Sequence, residues 1–332
     1  MSAAQSEADT PMRTRTSRRA RKRVLSGVAA VACGLLLGGA HTIGAQQLEP
    51  RAYSPSPIGT NFFGVGYLFS HGGVTMDPSV PIENVSAQIN AVVPYWGRAF
   101  GLAGRLAQIT VGVPYAWGTV TGDVLEVTQS VRRSGFGDPQ LRFAVNLIGG
   151  PALTPQQFRT RTPQTTLGAS LTVLCPFGEY FPSKLINIGT NRWAFKPELG
   201  LSHPSGKWSF EVYAGVWFFT ENADFFGGHV RTQNPLASYQ AHIVYSFNPR
   251  MWAAFDLTYY SGGQTTLDGQ HKDDRQNNTR GGFTFAIPIT RHQSIKASWA
   301  NGVTARIGTK FQTIGVGWQY VWFDSVKHPV GT

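Results

Sequence analysis

The sequence has little cysteine, with only two such residues in 332. Cys33 lies in an apolar run near the N-terminus, which leaves Cys175 as the single cysteine in the rest of the chain. One cysteine cannot form an intramolecular disulfide, and the paired cysteines of zinc sites are missing as well. Phosphate-binding loops and dinucleotide fingerprints are also missing from the sequence. We therefore expect a fold that is stable without disulfides, with no metal site and no cofactor.

Charge is scarce too, because Asp, Glu, Lys and Arg together make up 14% of the chain. Ordinary soluble proteins carry about 25%. Aromatic residues reach 12%, and there are 38 glycines. A soluble protein of this length needs a charged surface, so this composition predicts that much of the surface does not meet water.

Nearly half of the net charge of +11 comes from residues 1–45. The basic stretch RTRTSRRARKR precedes 17 uncharged residues from Val24 to Ala40, a pattern typical of export signals. We predict a signal peptide over residues 1–45, cleaved after Ala40 or Ala45, with an uncleaved anchor as the alternative. The remaining cations form no stripe interleaved with aromatics, so no nucleic-acid partner is expected.

Helical periodicity is missing after residue 45, and strict alternation takes its place. In KWSFEVYAGVWFFT (207–220), apolar residues such as Phe210 and Val212 occupy one parity, and Ser209, Glu211 and Tyr213 occupy the other. This is the pattern of a strand with one apolar face. The predicted strands are 61–70, 85–96, 105–117, 138–148, 165–175, 192–202, 207–220, 236–247, 251–260, 280–290, 293–301 and 311–323.

The connections between these strands alternate between long and short. An even strand number with long loops on one side is typical of outer-membrane barrels, and only a closed sheet can pair every backbone group in hydrocarbon. We predict an all-β fold, a transmembrane antiparallel up-and-down β-barrel of about 12 strands over residues 61–323, in the outer membrane of a Gram-negative bacterium. A periplasmic leader (46–60) precedes it and a C-terminal tail (324–332) follows. Four predicted strands contain proline, where bulges are expected: these are Pro94, Pro114, Pro197 and Pro288.

Three segments resemble a known family. SGFGDPQLRFAVNLIG (134–149), LINIGTNRWAFKPELGLS (185–202) and KDDRQNNTRGGFTFAIPITRHQSIKASWANG (272–302) are similar to segments of outer-membrane transporters labelled for the meta-pathway of phenol degradation. The resemblance covers about residues 50–323. It implies a barrel, and the family's label implies uptake of aromatic compounds, but it defines no catalytic or binding residue.

The predicted register places several ionisable side chains inside the barrel near the middle of the membrane. Twelve strands enclose a lumen between the filled eight-stranded barrels and the open porins. These groups therefore either form a salt-bridge network across a plugged lumen or line a constriction that selects solutes. The predicted pore-lining residues are Arg142, Lys196, Glu198, Glu211, His242, Asp256 and Lys296.

A second inward set is aromatic and lies at the predicted extracellular mouth. Trp217, Phe219 and Tyr260 would offer stacking surfaces to an aromatic solute. The alternative is that these three rings belong to the girdle at the membrane boundary.

These patterns predict a channel or transporter for small molecules, aromatic or hydrophobic compounds among them. Its expected partners are outer-membrane lipid, the solute and the assembly machinery, because the last strand ends on Phe323 and resembles an assembly signal. One alternative is a plugged barrel with a structural, adhesive or lipid-binding role. Another is a hydrolase acting at the rim through His271, Asp273 and Asp274, but adjacent side chains point apart, so we predict no catalytic residue and no enzyme.

Overall fold

The computed structural model describes residues 48–75, 82–124 and 127–324. The predicted signal peptide with both cleavage sites, and the tail beyond residue 324, lie outside these ranges. In the part described, the only helix is α1 (Pro155–Arg159), and no helix is long and apolar enough to cross a bilayer. The strands are β1 (Thr60–Thr75), β2 (Ile82–Leu102), β3 (Arg105–Gly112), β4 (Tyr115–Val124), β5 (Val127–Phe136), β6 (Gln140–Ile148), β7 (Thr166–Leu174), β8 (Ala194–Ser205), β9 (Trp208–Phe219), β10 (Asn222–Phe225), β11 (His229–Gln233), β12 (Leu236–Asn248), β13 (Met251–Gly262), β14 (Thr265–Leu267), β15 (Gln270–His271), β16 (Gln276–Pro288), β17 (Gln293–Ala305) and β18 (Gly308–Phe323).

Twelve strand positions form a closed antiparallel barrel, which confirms the predicted fold. β1 pairs with β18 along its whole length and with β2 on its other edge, so the first and last positions meet. β3 and β4 together make the third position, and β5 and β6 together make the fourth. Closure supplies partners for strand edges that would otherwise face hydrocarbon.

The two faces of β9 point as the alternation predicts. Phe210, Val212 and Phe218 lie outside and are 46–54% exposed, whereas Glu211 and Tyr213 face inward and are buried. Large apolar side chains cover the outside of the other strands in the same way. The outer surface therefore matches the acyl chains of a bilayer, and the protein is an outer-membrane barrel. Further outward side chains are Phe63, Leu141, Phe143, Leu199, Phe255, Phe283, Ile295 and Val316.

Tight turns are gathered at one end of the barrel. Between β2 and β3, Ala103 and Gly104 form a two-residue turn with positive φ angles of 47° and 75°, the geometry of a hairpin turn whose twist matches its strands. The opposite end carries three long connections, 175–193, 220–235 and 263–275, whereas the end with the tight turns carries one, 149–165. Strands β10, β11, β14 and β15 form a small separate sheet there. In outer-membrane barrels the end with long loops is extracellular.

One predicted loop is wrong, because residues 118–124 continue β4 and residues 127–136 form β5, which pairs with β4 as a hairpin. Val120 and Val124 from this hairpin are buried with Val85, Ile186 and Phe311 at the extracellular end. This small core stabilises strands that continue beyond the apolar band.

Of the four prolines, Pro114 interrupts its strand between β3 and β4, while β2, β8 and β16 include the others.

Candidate functional site inside the barrel

The leader lies inside the barrel from Leu48 onward. The backbone N–H of Ile58 donates to Leu153 O (2.8 Å) and that of Gly59 donates to Ala99 O (2.9 Å), which fixes the chain at the periplasmic end. Deeper in the lumen, the N–H of Arg51 donates to the Glu211 carboxylate over 2.7 Å. The segment predicted to be periplasmic thus occupies part of the lumen instead of lying below it.

Tyr53 is the main anchor of this leader and is only 2% exposed. Its ring rests on Gly168 and Gly200, where an added Cβ would come within 2.1 Å of the ring atoms. Its hydroxyl lies 2.8 Å from Ser170 Oγ and donates to Glu198 Oε1 over 3.0 Å. Only glycine on these neighbouring strands leaves room for the ring, so the wall is shaped to hold the leader.

Most of the predicted ionisable residues form pairs on the wall behind the leader. Lys196 Nζ lies 2.9 Å from Glu198 Oε2, and both side chains project from the same face of β8. His242 Nδ1 lies 2.6 Å from Asp256 Oδ1 across the β12–β13 ladder. In these pairs each buried polar group has a partner within hydrogen-bonding distance.

Glu211 has hydrogen-bond donors as partners instead of a cation. Its carboxylate accepts hydrogen bonds from Tyr213 Oη (2.6 Å) and Ser202 Oγ (3.0 Å), besides the Arg51 backbone N–H. Three donors satisfy the hydrogen-bonding capacity of this buried carboxyl group. Glu211 therefore connects the leader to β8 and β9.

Arg142 and Lys296 differ from these residues. The Arg142 guanidinium lies 5.0 Å from the Tyr53 ring centroid, and its Nε and Nη2 atoms are buried without a hydrogen-bond partner. Lys296 is exposed to the interior space, and among the described residues no carboxylate lies within 4.0 Å of its Nζ. Both residues line the same cavity.

This cavity has a volume of about 450 Å³ and lies between the leader and the opposite wall of the barrel. The leader contributes residues 48–52, and the wall comes mainly from β1–β3, β6 and β16–β18. Inward positions on β1 and β18 are held by Gly66 and Gly317, which leave the space open. The lumen is therefore filled by the leader on one side and hollow on the other.

The three predicted mouth aromatics lie close together at the extracellular end. Trp217 and Tyr260 are 1% and 2% exposed and belong to one buried cluster, with Phe219 packed against it. The Lys196 ammonium lies 5.5 Å from the Trp217 ring and the Arg192 guanidinium 4.5 Å from the Phe219 ring. These rings face inward, but their faces are covered by neighbouring side chains.

The loop residues considered for hydrolysis have separate structural roles. Asp273 pairs with Arg306 over 2.7 Å, and Asp274 accepts hydrogen bonds from the backbone and hydroxyl of Thr265. In the same loop, the carboxylate of Asp268 accepts a hydrogen bond from the backbone N–H of Val230 and also contacts the His229 ring. These two interactions, of which the first is the larger, hold the pKa of Asp268 below its ordinary value. In the part of the chain that the structure describes, no group of three His, Cys, Asp or Glu residues could hold a metal.

Three residues at this site were missed by the sequence reasoning. Arg280 lies on the inward parity of β16 and lines the cavity, so applying the alternation to the first residue of its predicted strand would have found it. Glu49 and Tyr53 sit in a proline-containing segment without periodicity, and no sequence signal indicates that it folds into the lumen.

The family profile described as "Putative MetA-pathway of phenol degradation" matches residues 69–319, about three quarters of the chain. The chain belongs to this family. The match runs from the middle of β1 to the last strand, so the family's characteristic region is the barrel itself. No curated protein sequence matches the chain.

Several solved structures are similar in fold to this chain. The COG4313 outer membrane channel from Pseudomonas putida F1 aligns with a TM-score of 0.70 and 20% identity, covering 83% of this chain and 100% of that one. The β-domain of the Bordetella autotransporter BrkA aligns with a TM-score of 0.49 and 9% identity, covering 80% of this chain and 100% of that one. The monoaromatic hydrocarbon channel CymD aligns with a TM-score of 0.39 and 10% identity, covering 90% of this chain and 99% of that one. At these identities the similarity to the COG4313 channel shows the barrel architecture alone.

Proposed function

We propose that the barrel is a passive channel through which small apolar or aromatic molecules cross the outer membrane, without chemistry. The observation that carries this function is the cavity of about 450 Å³ beside the leader. Sites for small ligands typically have about 300–1,000 Å³, mostly apolar walls and a few polar groups. Leu68, Val93, Leu174 and Phe311 supply apolar wall here, with isolated hydroxyl and charged groups between them.

The glycines of the cavity wall support this function. A barrel that needed only stability would gain by filling the lumen with side chains, as eight-stranded barrels do. At Gly66 and Gly317, which face each other across the β1–β18 ladder, an added Cβ would meet nothing closer than 3.8 Å. Larger residues would fit on this backbone, so these positions keep a space that packing alone does not require.

Replacing Gly317 by leucine is expected to reduce solute uptake severalfold, because the new side chain would project into the cavity. Uptake is measured with the full chain in liposomes, using a panel of phenol, toluene, a fatty acid and a sugar. Val316→Leu is the matched control, since Val316 lies next to it on β18 and is 48% exposed on the lipid side. Equal uptake by Gly317→Leu and the control, or no uptake of any solute by the wild type, would contradict the proposal.

A plugged barrel with a structural or lipid-binding role is the second candidate, and the hydrogen-bonded leader favours it. Tyr53, Arg51 and Ile58 each bind the wall or the periplasmic segments. This role predicts that the intact chain passes none of the solutes in the panel. It also predicts that uptake begins only after the leader is released.

A further inference from the structure

We propose that the cavity binds a carboxylate, so that the preferred solute is an apolar or aromatic monocarboxylate whose charged group lies at Arg142 and Lys296. This inference rests on the proposed channel function and specifies its solute. We further propose that Glu49 of the leader occupies the same cationic region when no solute is bound.

The wall of the cavity carries more cationic than anionic side chains. Its wall presents the cations Arg142, Arg280 and Lys296, while Asp138 is the wall carboxylate. Asp138 accepts hydrogen bonds from the Gly178 N–H (3.0 Å) and from the Thr190 N–H (3.0 Å) and hydroxyl (2.5 Å). These bonds hold the 175–193 loop, so Asp138 is not directed at a solute. The wall of the cavity is therefore cationic overall.

Two of these cations have the features of an anion site. Arg142 is 9% exposed and has two buried nitrogens without a hydrogen-bond partner, which is costly for a guanidinium. Lys296 has no carboxylate within 4.0 Å among the described residues, although it lines the same space. A bound carboxylate could accept hydrogen bonds from both, and hydrogen bonds to charged groups are the strong ones in proteins.

The rest of the wall suits the uncharged part of such a molecule. Ile89, Val93 and Ile188 add to the apolar surface from β2 and from the 175–193 loop. An amphipathic anion would place its carboxylate on the cations and its body on this surface. An amine of the same shape would meet like charges at a desolvated contact and would therefore bind more weakly than the acid.

Glu49 is the carboxylate that the leader brings to this region. It lines the cavity, its backbone N–H lies 3.4 Å from Gln240 Oε1, and its charge interacts with Lys196, Arg142, Lys296 and His242. Because it is part of the chain, its carboxylate stays near the cations at a high effective concentration without pairing directly with Lys296. A solute carboxylate must compete with it, so removing its charge should strengthen solute binding.

The test measures binding of three molecules of one shape to the full chain in detergent by calorimetry. The probes are 4-ethylbenzoate, 4-ethylbenzamide and 4-ethylbenzylamine, which carry negative, zero and positive charge at pH 7. We expect the acid to bind at least about tenfold more tightly than the amide, and the amine to bind most weakly. Glu49→Gln should strengthen binding of the acid by about tenfold and leave the amide unchanged.

Lys296→Met should remove most of the preference for the acid, whereas Lys207→Met, in an exposed turn between β8 and β9, should leave it intact. Lys296 is exposed to the cavity, so this variant is expected to fold even if Arg142→Met does not. If all three probes bind and cross liposomes equally, the carboxylate site is refuted and the channel stands. If none binds or crosses in a folded barrel, the proposed function fails together with this inference.

Discussion

Deleting residues 48–54 is expected to raise the ionic conductance of the reconstituted barrel severalfold. The deleted segment carries Tyr53, which is buried against Gly168 and Gly200, and Arg51, whose backbone binds Glu211. Without it, the lumen behind the leader joins the existing cavity, and a wider pore of the same length conducts more. Single-channel recording in planar bilayers measures the change.

Point variants of the anchor separate release of the leader from damage to the barrel. Tyr53→Ala removes a buried aromatic ring, which costs about 3–5 kcal/mol, and should raise conductance nearly as much as the deletion. Tyr53→Phe keeps the ring and loses only the hydroxyl bonds to Ser170 and Glu198, about 1–3 kcal/mol, and should conduct like the wild type. Unchanged conductance in the deletion and in Tyr53→Ala, in barrels that fold normally, would show that the leader does not limit passage.

Val212→Arg is expected to destabilise the barrel by about 2–4 kcal/mol, the cost of an arginine on the lipid face near the middle of a bilayer. Val212 lies in the middle of β9 and is 54% exposed on the outer surface. Urea-induced unfolding of the protein in lipid vesicles gives the change in the free energy of unfolding.

Ser298→Glu is the control for this variant. Ser298 lies in the middle of β17 and lines the cavity on the same face as Lys296, so an added carboxylate lies near an opposite charge. Its free energy of unfolding should stay within about 1 kcal/mol of the wild type. An equal loss of stability in both variants, or tolerance of Val212→Arg, would contradict the assignment of the two faces.

The alternation of β9 and its neighbours was enough to predict the closed barrel. A period of two fixes which side chains share a face, and the low charge content indicates that one face does not meet water. The same rule placed Lys196, Glu198, His242 and Asp256 inside. It could not pair them, because the His242–Asp256 contact depends on the register of β12 with β13.

The course of the leader could not be predicted, for a different physical reason. Its fit depends on the small size of Gly168 and Gly200, which are adjacent only after β7 and β8 pair. The β4–β5 hairpin was missed because residues 118–136 are mostly glycine and polar or charged residues, a composition typical of a loop. Long-range pairing determines both features, and local patterns contain no record of it.

A crystal structure of the full chain soaked with 4-bromophenol tests most directly whether the interior of the barrel receives an aromatic solute. The anomalous signal of bromine locates the molecule without relying on the shape of its density. We predict a peak within the cavity, between the leader and the Gly66–Gly317 wall. Bromine found only on the lipid-facing surface, with the interior unoccupied at saturating solute, would contradict the account.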